Sequence, residues 1–375
     1  MNYKFPIITD IQQIREAIKG RPEFIELHRG DHIIFNYLVV NEHTFPPIVS
    51  EKEAILRECR GLVFDNSGKL ISRRFHKFFN LNEREETQSH FIDWNTEHIL
   101  LEKLDGSMIT PLLLSRGLEW ATKMGVTDIG MKVKQFINKN LEHDYITFAY
   151  DCASCNVTPI FEYIAPDNRI VINYNTEQLI LLAIRDNITG DYRSYRKICQ
   201  AASLYNIPYV QKTKASVLET KELENIEGVV VLFNDGHKIK VKSDWYVRIH
   251  KAKENLLFEK NVIKMILEEK TDDIIPMLPE EDKNRLKVYT TELINKIDDH
   301  TTKLSLILDN LIKNSSKKEF ALNHAGSCSP LYRTIIFSCW DRPENIRQQV
   351  IDYILKNTRT QKEVDLIRHY IGVKW

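Results

Sequence analysis

The stretch GVVVLFNDGHKIKVK, residues 228–242, reads as two β-type runs with Asn234-Asp235-Gly236-His237 between them. Valine, isoleucine and phenylalanine favour extended backbone, and Gly236 supplies the positive φ that a tight connection needs. Two runs joined so closely pair antiparallel. Alternation then puts Lys240 and Lys242 on one strand face. Working outward, similar runs recur at HIIFNYLVV, GLVFDNSGKLISR, MITPLLLSRGLEWATK, PIFEYI and QLILLAI, and NSGK at 66–69 reads as a second hairpin. Helical spacing interrupts them at IQQIREAI and IGMKVKQFINKNLE. Beyond residue 250 long helical periods take over, in FEKNVIKMILEE, RLKVYTTELINKIDDHTTKLSLILDNLI and ENIRQQVIDYILKN, with the prolines of TDDIIPMLPEEDK breaking the first helices from the long one. The predicted class is α+β: an antiparallel-sheet domain over residues 1–250, followed by an all-helical C-terminal domain over residues 251–375.

The chain has 375 residues, 43% of them apolar and 28% charged, which describes a folded globular protein rather than a disordered or fibrous one. Its 52 basic and 52 acidic side chains cancel, so a nucleic-acid partner must be held by a local basic surface and a nonspecific coating role is excluded. No signal-like start and no long apolar run occur, so a cytoplasmic protein without membrane association is expected. Six scattered cysteines fit free thiols. Cys152 and Cys155 have the spacing of half a zinc site, and the other half is missing.

The chemistry centres on LEKLDGSMI, where Lys103 follows an apolar run and precedes Asp105 and Gly106 in a turn. A lysine amine becomes a nucleophile when desolvation or nearby cations lower its affinity for the proton. Lys123 on the next strand, Lys240 and Lys242 are candidates for those cations, and a cleft floored by lysines suits a polyphosphate. Alone, Lys-x-Asp-Gly is a weak signal, since lysines beside Asp-Gly turns are common on solvated hairpins. The weight lies in the ordered set that follows: Lys123, then FEYIAPDNRIV around Glu162, QLILLAIRD, IEGVVVLF with Glu227 and Gly228, and the run KIKVKSDWY through Lys240, Lys242 and Tyr246.

That ordered set resembles the covalent nucleotidyltransferases, and within them the phage tRNA-repair type of ATP-dependent RNA ligase, commonly called RNA ligase 1. ECRGLVFD with Arg60 and FHKFFNLNE with Lys77 are similar to that subfamily's signatures, as are FEYIAPDNRIV and KSDWYV. The likeness is strong from about residue 33 to 250 and weaker through TDDI and KKEFALNHAG in the tail. It implies that Lys103 attacks the α-phosphate of ATP to form lysyl-AMP. Arg60 and Lys77 would hold the departing phosphates, Lys240 and Lys242 would neutralise charge at the α-phosphate, Glu162 would bind the ribose, and Tyr37 would line the nucleotide pocket. Glu227, and with it Asp272, would hold magnesium, with Mn2+ as a substitute for Mg2+. Gly106, Lys123, Gly228 and Tyr246 belong to the matched motifs as supporting residues.

The resemblance further implies RNA with a 5′-phosphate and a 3′-hydroxyl as the substrate, a nicked tRNA anticodon loop among the candidates, in the cytoplasm of a cell or of a phage-infected bacterium. The competing readings are a DNA ligase, an mRNA capping nucleotidyltransferase, and a catalytically silent nucleic-acid-binding relative. DNA ligases and capping enzymes usually continue into a small β-barrel, whereas this tail reads as helical. Residues 251–375 carry 21 basic and 19 acidic residues without a basic block, so charge alone leaves RNA contact by the tail and a packing role both open. Trp340, Tyr332 and Arg333 are candidates for base stacking or for core.

Overall fold

A computed structural model describes residues 4–272 and 274–375. The chain divides into two compact units, Met1–Val247 and Arg248–Trp375.

Among the described residues, the first unit holds eleven strands: β1 Phe24–His28, β2 His32–Tyr37, β3 Arg60–Asp65, β4 Leu70–Ser72, β5 His98–Lys103, β6 Ser107–Leu114, β7 Gly117–Ala121, β8 Val157–Ile164, β9 Gln178–Asp186, β10 Gly228–Phe233 and β11 Lys238–Lys242. They form three sheets, ordered β1-β2-β3-β4, β11-β10-β5 and β7-β6-β8-β9, and their pairings are antiparallel. Both hairpins expected at Asn-x-Gly are present, β3–β4 with Gly68 at φ 86° and β10–β11 with Gly236 at φ 88°.

Helices begin where side chains satisfy the free N–H groups of the first turn. Asp10 with Gln13, Ser50 with Glu53, and Ser216 with Glu219 form reciprocal caps on Ile11–Ile18, Glu51–Glu58 and Val217–Glu222. The helices Asp128–Lys139, Tyr145–Ser154 and Tyr195–Leu204 cover the β7-β6-β8-β9 sheet, burying Val133, Phe148 and Ile198 against Phe161 and Leu181. Cys152 is buried in that layer and Cys155 is exposed.

Two loops extend the β11-β10-β5 sheet at its edges. Lys240 donates its N–H to the Phe79 carbonyl at 3.0 Å and accepts from Leu81 N–H at 2.8 Å. On the other edge, Glu102 N–H donates to Gln211 at 3.0 Å and Thr213 N–H to Leu100 at 3.0 Å. FHKFFNLNE is thereby fixed beside the strand that carries Lys240.

The second unit is helical, with Glu280–Asn314 as its longest element and Leu286, Leu293, Ile297, Leu304 and Leu308 facing its core. Trp340 packs against Phe320, and the Tyr332 hydroxyl meets His300 Nδ1 at 3.1 Å, so both aromatics take part in packing. Among the described residues, no helix is long and apolar enough to cross a membrane.

Candidate active site

The central strand β10 aligns the site. Gly228 lies opposite Lys103 of β5 on one side and opposite Lys242 of β11 on the other, so the register alone brings the two lysines to the same end of the sheet. Gly228 has φ 144°, and a Cβ there would stand 2.0 Å from the Val241 carbonyl oxygen, so no other residue fits between these strands. Just before it, the buried Glu227 carboxylate accepts from both amines, Lys103 Nζ at 2.6 Å and Lys242 Nζ at 3.3 Å.

The turn after Lys103 is anchored from below. Asp105 is buried: Oδ2 accepts from the N–H groups of Val171 and Ile172 at 2.7 and 2.8 Å, and Oδ1 accepts from the Tyr246 hydroxyl at 2.6 Å. Hydrogen bonds to a charged acceptor contribute about 1.5–3 kcal/mol each, so this carboxylate holds the turn firmly. The sequence offers no physical role for Tyr246, and the geometry supplies one. Ser243 Oγ accepts from Tyr246 N–H at 3.0 Å, capping the helix Asp244–Leu256 and aiming the phenol at Asp105. Burial, helped by the Glu227 and Asp105 carboxylates, pushes that phenol far above its ordinary range, so it remains a donor. Gly106 follows, where a Cβ would meet the Tyr163 carbonyl oxygen at 2.3 Å, and its N–H donates to Glu162 Oε1 at 3.2 Å.

A cavity of about 250 Å³ opens between the β11-β10-β5 and β7-β6-β8-β9 sheets. Arg60, Lys103, Gly106, Glu162 and Lys240 line it, among apolar neighbours such as Phe78, Leu101 and Met108. Burial pushes the Glu162 carboxyl up to about 8; Lys103 opposes that, Glu227 adds to it, and Arg60 and the Gly106 N–H oppose it. Burial, then Arg60, Lys103 and Lys77 beside it, hold the Lys240 amine well below the usual lysine range. Arg60 Nε and Nη1 are buried and meet no hydrogen-bond partner, so two guanidinium donors are left for a ligand to satisfy.

Next to Arg60 lies a second cationic group around Tyr37. Lys123 Nζ is 4.6 Å and Lys77 Nζ 5.5 Å from the Tyr37 ring centroid. Burial alone would raise the Tyr37 hydroxyl, but Arg60, Lys77 and Lys123 outweigh it and hold it below its ordinary value. Burial also lowers the Lys77 amine, partly offset by Tyr37. Cations crowded without matching carboxylates form a receptor for a polyanion.

One placement differs from expectation. Lys123 is not on a strand: β7 ends at Ala121, and Lys123 with Met124 forms a turn closed by reciprocal Thr122–Gly125 backbone bonds at 3.0 Å. Asp272 lies in the second unit and is exposed, while its neighbour Asp273 is outside the described residues.

The raised Glu162 carboxyl carries a stability consequence. Between about 4.5 and about 8 the folded chain keeps a proton that the unfolded chain has lost, so raising the pH through this window weakens the fold. Glu162→Gln removes that titration. Its melting temperature relative to wild type is expected to rise steadily from pH 4.5 to pH 8; a difference that does not change with pH would contradict the assignment.

Residues 58–254, just over half of the chain, match the family model described as RNA ligase. A protein of Thermovibrio ammonificans, provisionally named an RNA ligase, is 29% identical over 330 residues, covering 82% of this chain and 83% of that protein. The RNA ligase of Rhodothermus phage RM378 is 22% identical over 378 residues, covering 80% and 84% of the two chains. Among solved structures, form 2 of an archaeal ATP-dependent RNA ligase matches with a TM-score of 0.44 and 15% identity, over 64% of this chain and 63% of that one, just under two thirds of its length. On the match through residues 58–254, the chain belongs to the RNA ligase family.

Proposed function

We propose that this chain joins RNA ends with ATP: Lys103 becomes adenylylated, AMP passes to an RNA 5′-phosphate, and an RNA 3′-hydroxyl displaces AMP to form the phosphodiester. The observation that carries this reading is the convergence of a lysine amine, two partnerless guanidinium donors and a lowered second amine on one cavity. In the first step the Lys103 Nζ–P bond forms as the bond from the α-phosphate to pyrophosphate breaks. Lys240 and Lys242 flank the position where charge builds on the α-phosphate, the electrostatic contribution that dominates phosphoryl-type transfer. Arg60, Lys77 and Lys123 would take the leaving phosphates, the guanidinium gripping oxygens in pairs. Glu162, protonated at neutral pH, is able to donate to a ribose oxygen as well as accept from a hydroxyl.

Among the described residues no three His, Cys, Asp or Glu side chains converge as a cage. The buried carboxylate of Glu227 fits Mg2+ or Mn2+, which bind through one or two carboxylates and take their remaining ligands from phosphate and water. When bound, such an ion would supply positive charge beside the α-phosphate. We assign the first unit to adenylyl transfer, the helical unit to recognition of the RNA, a broken tRNA anticodon loop being the substrate class, and the cytoplasm as the place of work.

The test is sealing of a labelled single-stranded RNA with a 5′-phosphate and a 3′-hydroxyl, with ATP or GTP, beside the same ends on DNA. Joining of RNA with ATP is the expected result; preferential joining of DNA, or use of GTP alone, would overturn the reading. Within this assay, Arg60→Ala and Lys77→Ala are expected to slow sealing with ATP by roughly 10- to 100-fold, the scale for losing charge-assisted hydrogen bonds. Sealing of pre-adenylylated RNA should be much less affected, because pyrophosphate takes part only in the first step. Equal losses in both assays would remove these side chains from that role.

A further inference from the structure

Strand β11 carries lysines at three alternate positions, 238, 240 and 242, and the strand period puts all of them on one face. Lys242 meets Glu227 and Lys240 flanks Lys103, but the site described above makes no use of Lys238. It is 3% exposed and lines the same cavity as Lys103 and Glu162. Its amine donates to the Gly236 carbonyl at 2.9 Å, lies over the Tyr192 ring at 3.1 Å from the centroid, and is 5.4 Å from the Phe75 centroid. Among the described residues, none forms an ion pair with it: Asp235 pairs with His237, and Glu58 with Arg73 and Arg185. A buried amine without a carboxylate is costly for the fold. Burial and then Arg185 lower this amine, Asp235 and Glu58 oppose them, and an acceptor brought to Nζ favours the charged form, which only donates. With a single bond to Gly236, it keeps further hydrogen-bonding capacity at the cavity wall.

The register places this amine along the cavity. Lys242 stands opposite Gly228, Lys240 opposite Val230 and Lys238 opposite Leu232, while Lys103 stands opposite Gly228 on the other side. At about 3.4 Å per residue, the Lys238 backbone is roughly 7 Å beyond Lys240 and about 14 Å from the rung of the nucleophile. The wall between is apolar, formed by Leu101, Val230, Leu232, Met108 and Phe75. A nucleotide whose α-phosphate sits at Lys103 therefore lays its sugar and then its base along this slot, with Lys238 as the polar group at the far end.

We propose that Lys238 reads the six-membered ring of the nucleotide's base, donating a hydrogen bond from Nζ to the unprotonated N1 of adenine. Guanine carries a hydrogen at N1, so two donors would face each other there, which both forfeits a bond and leaves a buried donor unsatisfied. The assignment rests on the adenylylation reading above and adds the element that selects ATP.

The test compares lysyl-AMP formation from ATP with formation of the corresponding adduct from 1-deaza-ATP, which has C–H in place of N1, in the wild type and in Lys238→Met. The wild type is expected to need roughly tenfold more 1-deaza-ATP than ATP for half-maximal rate, with the maximal rate little changed. Lys238→Met should show that same tenfold loss with ATP, no further loss with the analogue, and a preference for ATP over GTP reduced by the same factor. A lysine that only fills space would shift both nucleotides together. Equal use of ATP and 1-deaza-ATP by the wild type overturns the proposal whether or not the variant folds, as does a variant that still separates the two as the wild type does. Failure of the wild type to form any adduct from ATP is a distinguishable result that overturns the adenylylation reading, and this assignment with it.

Discussion

Lys103→Ala is expected to abolish formation of the protein–AMP adduct, a loss of at least about 10⁴-fold of the kind seen when a nucleophile is removed, while the protein remains folded. The first half follows from chemistry: no other amine in the cavity occupies the end of β5 where Gly228 fixes the register. The second half follows from packing. The Lys103 side chain is 20% exposed and ends at the cavity, so its truncation leaves no sealed void in a core. Glu227, buried and charged, keeps Lys242 at 3.3 Å and is not left alone. The Asp105 anchor to Val171, Ile172 and Tyr246 involves no atom of Lys103. The variant should therefore melt close to the wild type. It should also retain measurable sealing of pre-adenylylated RNA, a reaction that bypasses the lysine. Loss of the fold, or adduct formation comparable to wild type, would contradict the assignment.

Glu58→Gln is expected to destabilise the first unit by about 3–5 kcal/mol, the range for breaking a buried ion pair on one side. Glu58 stands at the end of its helix with a fully buried carboxylate between two buried guanidinium groups. Oε1 lies 3.1 Å from Arg73 Nη2 and 2.8 Å from Arg185 Nη2; Oε2 lies 3.1 Å from Arg73 Nε and 2.7 Å from Arg185 Nη1. The arginines are tied in turn to carbonyls: Arg73 to Pro6 at 2.9 Å and Ile188 at 2.8 Å, Arg185 to Gly190 at 2.8 Å and Arg74 at 2.5 Å. An amide in place of the carboxylate removes the negative charge that lies between two buried like charges.

Burial would raise the Glu58 carboxyl, yet Arg185 and Arg73 outweigh it and hold it below the ordinary carboxylate range. Its stabilising contribution is thus present above the unfolded-state value and lost as pH falls through the folded one. Denaturant melts should show a large deficit for the variant at neutral pH that narrows on acidification. A deficit under about 1 kcal/mol, the scale of a surface pair, would mean the triad is solvated in solution.

How much of this was readable beforehand depends on whether the signal is local. The hairpins at Gly68 and Gly236 were legible because a turn residue and two flanking runs lie within a few positions of one another. Lys240 and Lys242 were placed on one face by the strand period alone. The Glu58–Arg73–Arg185 triad was not legible, since its members are separated by up to 127 positions and each reads as an ordinary surface charge. Asp105 reads as a turn residue, and only the approach of the 171–172 loop turns its carboxylate into an anchor. Lys123 was expected on a strand because ATKMG continues an apolar run. Gly125, at φ 103°, was the available sign that the chain turns there. Lys238 shares its period with Lys240 and Lys242, so its face was readable; that it is buried was not, because burial of a lysine is set by Tyr192 and Phe75 from distant segments.

The central claim is a covalent bond between AMP and one lysine, and it is met most directly by locating that bond. The wild-type protein, first treated with pyrophosphate to remove any AMP already attached, is incubated with ATP and a divalent cation, digested, and its peptides weighed. The account predicts one added AMP on the peptide containing Lys103, removable again by pyrophosphate and not formed from GTP. An adduct mapped to another lysine, or none after that pretreatment, would contradict it.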